Sequence, residues 1–187
     1  MGQFVKEVRR FGFQNVIYAI EPASVAFQSL EILEQLDYQV HAFRAICSDH
    51  IGTETLNIYS RSDLNSLFLP HEGDPFEIGE KLGEETVPCL TLDSFIESEV
   101  KERDVFLKID VQGSEMKVLG GLKSSLTRIR AIQVEVGINP IYRRPNSILD
   151  VLNWLSQNNF QLVSIVTERF DETLATAFDV DLLALAT

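Results

Sequence analysis

The chain has 187 residues, a length that suits one domain, and 45% of them are apolar, as in a packed globular protein. Against 16 Lys and Arg stand 28 Asp and Glu, a formal charge of −12, which argues against a general nucleic-acid or anionic-membrane binder because phosphate binding needs clustered cations. Cys47 and Cys89 are too few for a disulfide framework or a zinc pattern, and His41, His50 and His71 fall into no HxxxH or HxH spacing, so no metal is expected.

In chain order, Phe4, Val8 and Phe11 recur at helical spacing and Gly12 stops the helix. The apolar residues 16–20 are too short for a signal peptide, and no run approaches the ~20 residues of a membrane helix, so a cytoplasmic protein is expected. "NVIYAIEP" reads instead as a strand buried on both faces. Pro22 opens a helix with Phe27, Leu30 and Leu33 facing inward. "YQVHAFRAICS" reads as a second strand and "ETLNIYS" as a third, half-exposed one. Over residues 60–88, Gly73, Asp74, Pro75, Gly79 and Gly83 break any period, and a long loop or lid is expected.

"VPCLTLDSF" gives a short strand, with Asp93 as the expected cap of a helix reaching about Arg103. "VFLKIDV" is a fully apolar strand, followed by a helix marked by Met116, Leu119 and Leu122 and interrupted by Gly120 and Gly121. "IRAIQVEVGI" is again a strand, and Ser147 and Asp150 form a capping-box-like pair before a helix with Ile148, Leu152 and Leu155 on one face. "QLVSIVTERF" and "AFDVDLLALAT" flank a turn around Asp171 and lie too close for a crossover, so they are expected to pair antiparallel. The pattern predicts a single α/β domain over 1–187, with a mostly parallel sheet, helices on both faces and a C-terminal antiparallel hairpin.

In such sheets ligands bind beyond the carboxyl ends of the strands, where Glu21, Asp110 and Glu135 fall. Glu21 suits the two hydroxyls of a ribose, or else is only a helix N-terminal acid. Asp110 follows four apolar residues, so desolvation raises its pKa unless something pairs with it, and Lys108 is expected on the opposite face. Gly113 permits φ > 0 or close approach of a ligand. Glu115 is a site acid or a first-turn helix acid with no chemistry, and Glu135 a functional acid or a satisfied core one. Cys47 reads as a small buried apolar residue and His71 as a solvated one.

"FLKIDVQGSEMKVLGGLKSSLTRIRAIQVEV" resembles the signature segment of FkbM-type methyltransferases, which typically reads L-K-I-D-V-E-G-x-E, a helix and then V-E-V. "VIYAIEPASVAFQSL", "AICSD", "LNSLF" and "LTLDSF" fall in the same family order, so the resemblance covers nearly the whole chain. It implies a Rossmann-like, S-adenosylmethionine-dependent methyltransferase acting on oxygen, with a small-molecule or carbohydrate acceptor and neither nucleic acid nor membrane as partner. Carried over, Glu21 would hold the cofactor ribose, Ile46 and Cys47 would lie beside the adenine, and Asp110 would lie near the methionine moiety and the transferred methyl. Glu115 and Glu135 would face the acceptor pocket, so Asp110, Glu115 and Glu135 are the candidate catalytic acids.

Two departures stand out. Gln112 replaces the family's first glutamate of K-I-D-V-E-G, which removes one candidate base. Of the family's opening strand and D-x-G-A-N-x-G-Q-F loop, only Gly2, Gln3 and Phe4 are recognisable, and these would supply the remaining cofactor contacts. The first strand and most of the glycine-rich loop are therefore expected to be missing, leaving apolar strand edges and a tendency to self-associate. The competing reading is a non-catalytic remnant or interaction module with the same fold. A dinucleotide-binding oxidoreductase is disfavoured because no G-x-G-x-x-G precedes a helix.

Overall fold

In the computed structural model, which describes residues 2–71, 78–138, 141–143, 146–171 and 176–187, the strands divide among three sheets. The first is a parallel pair, β1 (Ile17–Ile20) beside β2 (Val40–Phe43). The second has the order β3-β5-β4, built from β3 (Ile46–Cys47), β4 (Gly52–Tyr59) and β5 (Lys81–Leu90). The third has the order β6-β7-β9-β8, built from β6 (Val105–Ile109), β7 (Ile129–Gly137), β8 (Phe160–Asp171) and β9 (Thr176–Ala186). Helices α1 (Gln3–Arg10), α2 (Ser24–Leu36), α3 (Leu92–Ser98), α4 (Glu115–Gly120) and α5 (Ile148–Gln157) alternate with them.

The α/β class stands, but the single, mostly parallel sheet is corrected. Pairs β1·β2, β3·β5 and β6·β7 are parallel, whereas β4·β5, β7·β9 and β8·β9 are antiparallel. The C-terminal hairpin is present as β8 against β9, and its turn at 172–175 lies outside the described residues. The second strand, read as continuous, breaks at Arg44 and Ala45 into β2 and β3, which belong to different sheets. Arg44 explains the break: its guanidinium donates to Glu85 at 2.7 Å and to the Pro22 carbonyl at 3.3 Å. Ser24 Oγ donates to Glu85 as well, at 2.6 Å, so one carboxylate fastens the start of α2 and the bend to β5.

The loop or lid expected over 60–88 is shorter than that. Residues 81–88 are strand, paired in register with β4, and residues 62–64 make a 3-10 turn. Gly83 looked like a breaker, and the inward-facing positions 83 and 85 carry Gly and Glu, so no apolar period shows before Val87. Hydrogen bonding to β4 holds the strand where burial does not. Gly73, Asp74 and Pro75 lie outside the described residues.

The main core lies on one face of the third sheet. Ile109, Ile132, Val134, Val136, Val180 and Leu182 meet Ile96 of α3, Leu119 of α4, and Val151 and Leu155 of α5. These sheet positions alternate along their strands, as the pleat requires. On the opposite face Phe106 is 48% exposed, so β6 is not buried on both sides as its apolar run suggested; β1 is likewise only half-buried throughout.

Local capping follows chemistry that sequence located within a residue or two. The Ser147–Asp150 capping box of α5 is present. For α3 the cap is Thr91, which accepts from Ser94 N at 3.1 Å, and not Asp93. Asp93 sits in the first turn and accepts the backbone N–H groups of Lys123, Ser124 and Ser125 at 2.9–3.0 Å. The helix ends at Ser98, short of Arg103, and the Arg128 guanidinium takes the carbonyls of Ile96, Val100 and Glu102. A cation there also suits the negative end of the helix dipole. Gly121 is needed because the chain from β3 passes beneath it: a Cβ there would stand 2.3 Å from the Ser48 carbonyl oxygen.

Candidate active site at the strand ends

Lys108 and Asp110 are two residues apart in a pleated segment, so their side chains share a face. Lys108 Nζ lies 3.7 Å from Asp110 Oδ2, which corrects the expectation that it points away. The same ammonium lies 3.8 Å from Asp181 Oδ1 on β9 and 5.5 Å from the centre of the Phe4 ring on α1. Register explains the first of these contacts: Lys108 pairs with Gln133, and Gln133 with Leu183, beside Asp181. Gln133 Nε2 donates to Asp181 Oδ2 at 2.6 Å, and Asp181 is 7% exposed. One lysine therefore serves two carboxylates, the first 42% exposed at the side chain and the second buried.

Beyond Asp110 the backbone turns through positive φ twice, at Gln112 (51°) and at Gly113 (99°). Glycine takes such an angle freely, whereas Gln112 must be held there. Its carbonyl accepts from Ser66 Oγ at 2.8 Å, and its side-chain amide reaches Asp110 Oδ1 at 3.3 Å and Glu135 Oε1 at 3.5 Å. Asn146 Nδ2 donates to the Gly113 carbonyl at 3.0 Å.

Glu115 locks the loop from below. It is 3% exposed, and its Oε1 accepts the Gly113 N–H at 2.7 Å. Burial pushes its carboxyl above the ordinary glutamate range, the backbone and Asn146 donors pull it down less, and the charge of Asp110 adds to the rise. Glu115 is thus the first-turn acid of α4 and a fastener of the loop, and it does not face an open pocket.

Glu21 follows β1. Its N–H donates to the Phe43 carbonyl at 3.0 Å and its Oε1 accepts the Ala23 N–H at 2.9 Å, just ahead of α2. Burial raises its pKa; the Ala23 donor opposes this, and the charges of Asp110 and Glu85 reinforce it. Glu21 and Glu115 thus each lie within electrostatic reach of Asp110, and Gln112 joins Asp110 to Glu135.

Phe4 joins this group through Lys108. Gly2 and Gln3 begin α1, and Gly2 has φ 61° and packs so closely on α2 that a Cβ would meet Leu33 Cδ1 at 2.5 Å. Ile46 and Cys47 lie on β3 beside β5. Ile46 is 5% exposed in a core with Ala23, Ala26, Leu56 and Val87. Cys47 packs on the main core, and burial pushes its thiol up to about 12, so it is no thiolate. His71 is exposed, as expected.

Sequence reading misplaced Lys108 and overlooked Asp181, Gln133 and Asn146. The first was legible in the i, i+2 spacing of "KID"; the others depend on strand register and loop approach, which leave no local signal. Chemically, the arrangement offers a half-buried carboxylate at the end of β1, an exposed one at the end of β6 and an excess of negative charge. That combination suits a ligand with hydroxyls and a positive charge. Among the described residues no group of three or more His, Cys, Asp or Glu side chains is disposed to hold a metal ion, and no helix is long and apolar enough to cross a membrane.

The profile described as "Methyltransferase FkbM domain" matches residues 3–162. A crystal structure of the methyltransferase FkbM from Methylobacillus flagellatus KT superposes with a TM-score of 0.54 at 16% identity, over 95% of this chain and 39% of that one. This chain therefore spans about two fifths of that protein's length, and the likeness shows a shared fold. No curated protein matches the chain.

Proposed function

The chain belongs to the FkbM methyltransferase domain family, and on that premise we propose that it binds S-adenosylmethionine and transfers the methyl group to a hydroxyl oxygen of a small molecule or sugar. The observation that carries this reading is the convergence of Glu21 and Asp110, two strand-end carboxylates within electrostatic reach of each other. Their chemistry fits the cofactor. A carboxylate with one oxygen already fixed by Ala23 N–H is held rigidly enough to accept ribose hydroxyls through the other. Burial raises the Glu21 and Glu115 pKa values and the charge of Asp110 adds to both, an excess of negative charge that a nearby cation, such as a sulfonium or an α-ammonium, would offset.

When bound, the cofactor supplies an electrophilic methyl carbon, so the protein's main task is to align the acceptor with it. Asp110 is the preferred group to take the hydroxyl proton, because its side chain is 42% exposed just past the end of β6. Glu135 is the second candidate base, linked to Asp110 through Gln112. Glu115 keeps the loop in place and is a positioning residue.

Titration calorimetry with S-adenosylmethionine tests the reading. The expected result is measurable binding that Glu21→Gln weakens by roughly 1.5–3 kcal/mol, the loss of a charge-assisted hydrogen-bond pair. No binding by the unaltered chain would overturn the proposal and favour an interaction module that keeps only the fold.

A further inference from the structure

We propose that Ser66 is a positioning residue of the strand-end site: its hydroxyl holds Gln112 in the left-handed conformation and so aims the Gln112 carboxamide at Asp110 and Glu135. Its effect on a bound ligand rests on the S-adenosylmethionine reading above.

Gln112 has φ 51°, an angle that glycine adopts freely and a residue with a Cβ does not. Such a conformation persists only where its surroundings impose it. The Gln112 carbonyl accepts from Ser66 Oγ at 2.8 Å. That same Oγ accepts the Phe68 N–H at 3.1 Å, so its own proton is committed to Gln112. Ser66 is 1% exposed, and solvent does not compete for either contact.

Ser66 is itself fixed. It exchanges backbone hydrogen bonds with Asn57 of β4 at 2.9 and 3.3 Å, and Asn57 Nδ2 adds a third to the Ser66 carbonyl at 3.0 Å. Farther along, Pro70 bridges Tyr142 antiparallel, and Tyr142 Oη donates to the Leu64 carbonyl at 2.7 Å. The Arg143 N–H donates to the Leu69 carbonyl at 2.8 Å. The segments that follow β4 and β7 therefore form one clamp. One side reaches the turn through Ser66 and the other through Asn146, at the Gly113 carbonyl.

The turn in turn sets Asp110. Gln112 Nε2 lies 3.3 Å from its Oδ1, and Lys108 Nζ lies 3.7 Å from its Oδ2, so the carboxylate is held between an amide and an ammonium. With the amide gone, the carboxylate closes on Lys108 and offers less of its charge to a sulfonium.

Two measurements test the proposal. In NMR spectra of the ligand-free chain, Gln112 should show the strong intraresidue HN–Hα nuclear Overhauser effect of positive φ. Ser66→Ala should lose it, and Ser66→Thr, which retains the hydroxyl, should restore it. Titration calorimetry then compares S-adenosylmethionine, a sulfonium, with S-adenosylhomocysteine, the uncharged thioether at the same sulfur. Ser66→Ala should reduce the preference for the sulfonium roughly 2–10-fold, the worth of one hydrogen bond. It should change nothing further once Asp110→Asn is present. A merely structural role would weaken both compounds alike and leave the preference untouched. Positive φ kept at Gln112 in Ser66→Ala would overturn the proposal, and so would an unchanged preference. Should Ser66→Ala fail to fold, Gln112→Gly replaces it, because glycine keeps the turn and removes only the carboxamide; the same fall in preference is expected, and its absence would be equally fatal. If the unaltered chain binds neither compound, the cofactor reading fails, and the ligand-free spectra alone decide whether Ser66 holds the turn.

Discussion

Lys108 Nζ stands 3.7 Å from Asp110 Oδ2 and 3.8 Å from Asp181 Oδ1, so a single ammonium balances an exposed and a buried carboxylate on adjoining parts of one sheet face. Among the described residues Asp181 Oδ1 has no hydrogen-bond donor, and Lys108 is its charge partner. Replacing Lys108 by Met keeps the aliphatic stem and removes that charge. The expected cost is about 3 kcal/mol of unfolding free energy, since a buried carboxylate is left uncompensated. Urea denaturation measures it, and Asp181→Leu added to Lys108→Met should recover part of the loss. An additive double variant would show that the pair is not coupled.

Asp110→Asn separates chemistry from folding. Asparagine keeps the volume and one acceptor oxygen, and Asp110 is largely at the surface, so melting should change little. If Asp110 takes the acceptor's proton, methyl transfer falls on the order of 10²–10⁴-fold. Turnover of labelled methyl groups, read beside a melting curve of the same variant, decides the matter. Full activity would remove Asp110 from the chemistry.

Glu115 gives a pH signature whose sign follows from its raised folded pKa. A carboxyl that prefers to be protonated in the folded state contributes its stability below its unfolded value, about 4.3. That contribution is lost as pH rises through the folded pKa. Glu115→Gln remains neutral and can still accept the Gly113 N–H, so it should gain stability relative to the unaltered chain as pH rises from about 4 toward neutrality. Parallel stability–pH curves for the two proteins would contradict the burial that raises this group.

Gly120 and Gly121 are adjacent and should respond differently. A Cβ on Gly121 would meet the Ser48 carbonyl at 2.3 Å, backbone that cannot swing aside, so Gly121→Ala should cost roughly 1–3 kcal/mol. A Cβ on Gly120 comes no closer than 3.4 Å, to Asp49 Cβ, and Gly120→Ala should be near neutral or stabilise α4 by up to about 1 kcal/mol. Thermal melting of the two variants checks the contrast, and equal effects would show that β3 does not press on this turn.

The sequence by itself determined the elements whose signals are local. The helical spacing of Phe4 and Val8 marked α1, the alternation of "IRAIQVEV" marked β7, and Ser147 with Asp150 marked the start of α5, because backbone geometry and capping involve residues within a few positions of one another. It also located Glu21, Asp110 and the positive φ of Gly113, since strand ends and glycines are readable in place. Only the tertiary structure decided how the strands divide into three sheets, because pairing joins segments such as β3 and β5 that lie far apart in the chain. The same holds for the partners of each acid. Glu115 and Asp110 are both acids near the end of one strand, yet one is buried under Gly113 and the other remains at the surface beside Lys108. That difference arises from solvent exposure and donor geometry set by Asn146, Ser66 and Asp181, whose approach no local pattern encodes.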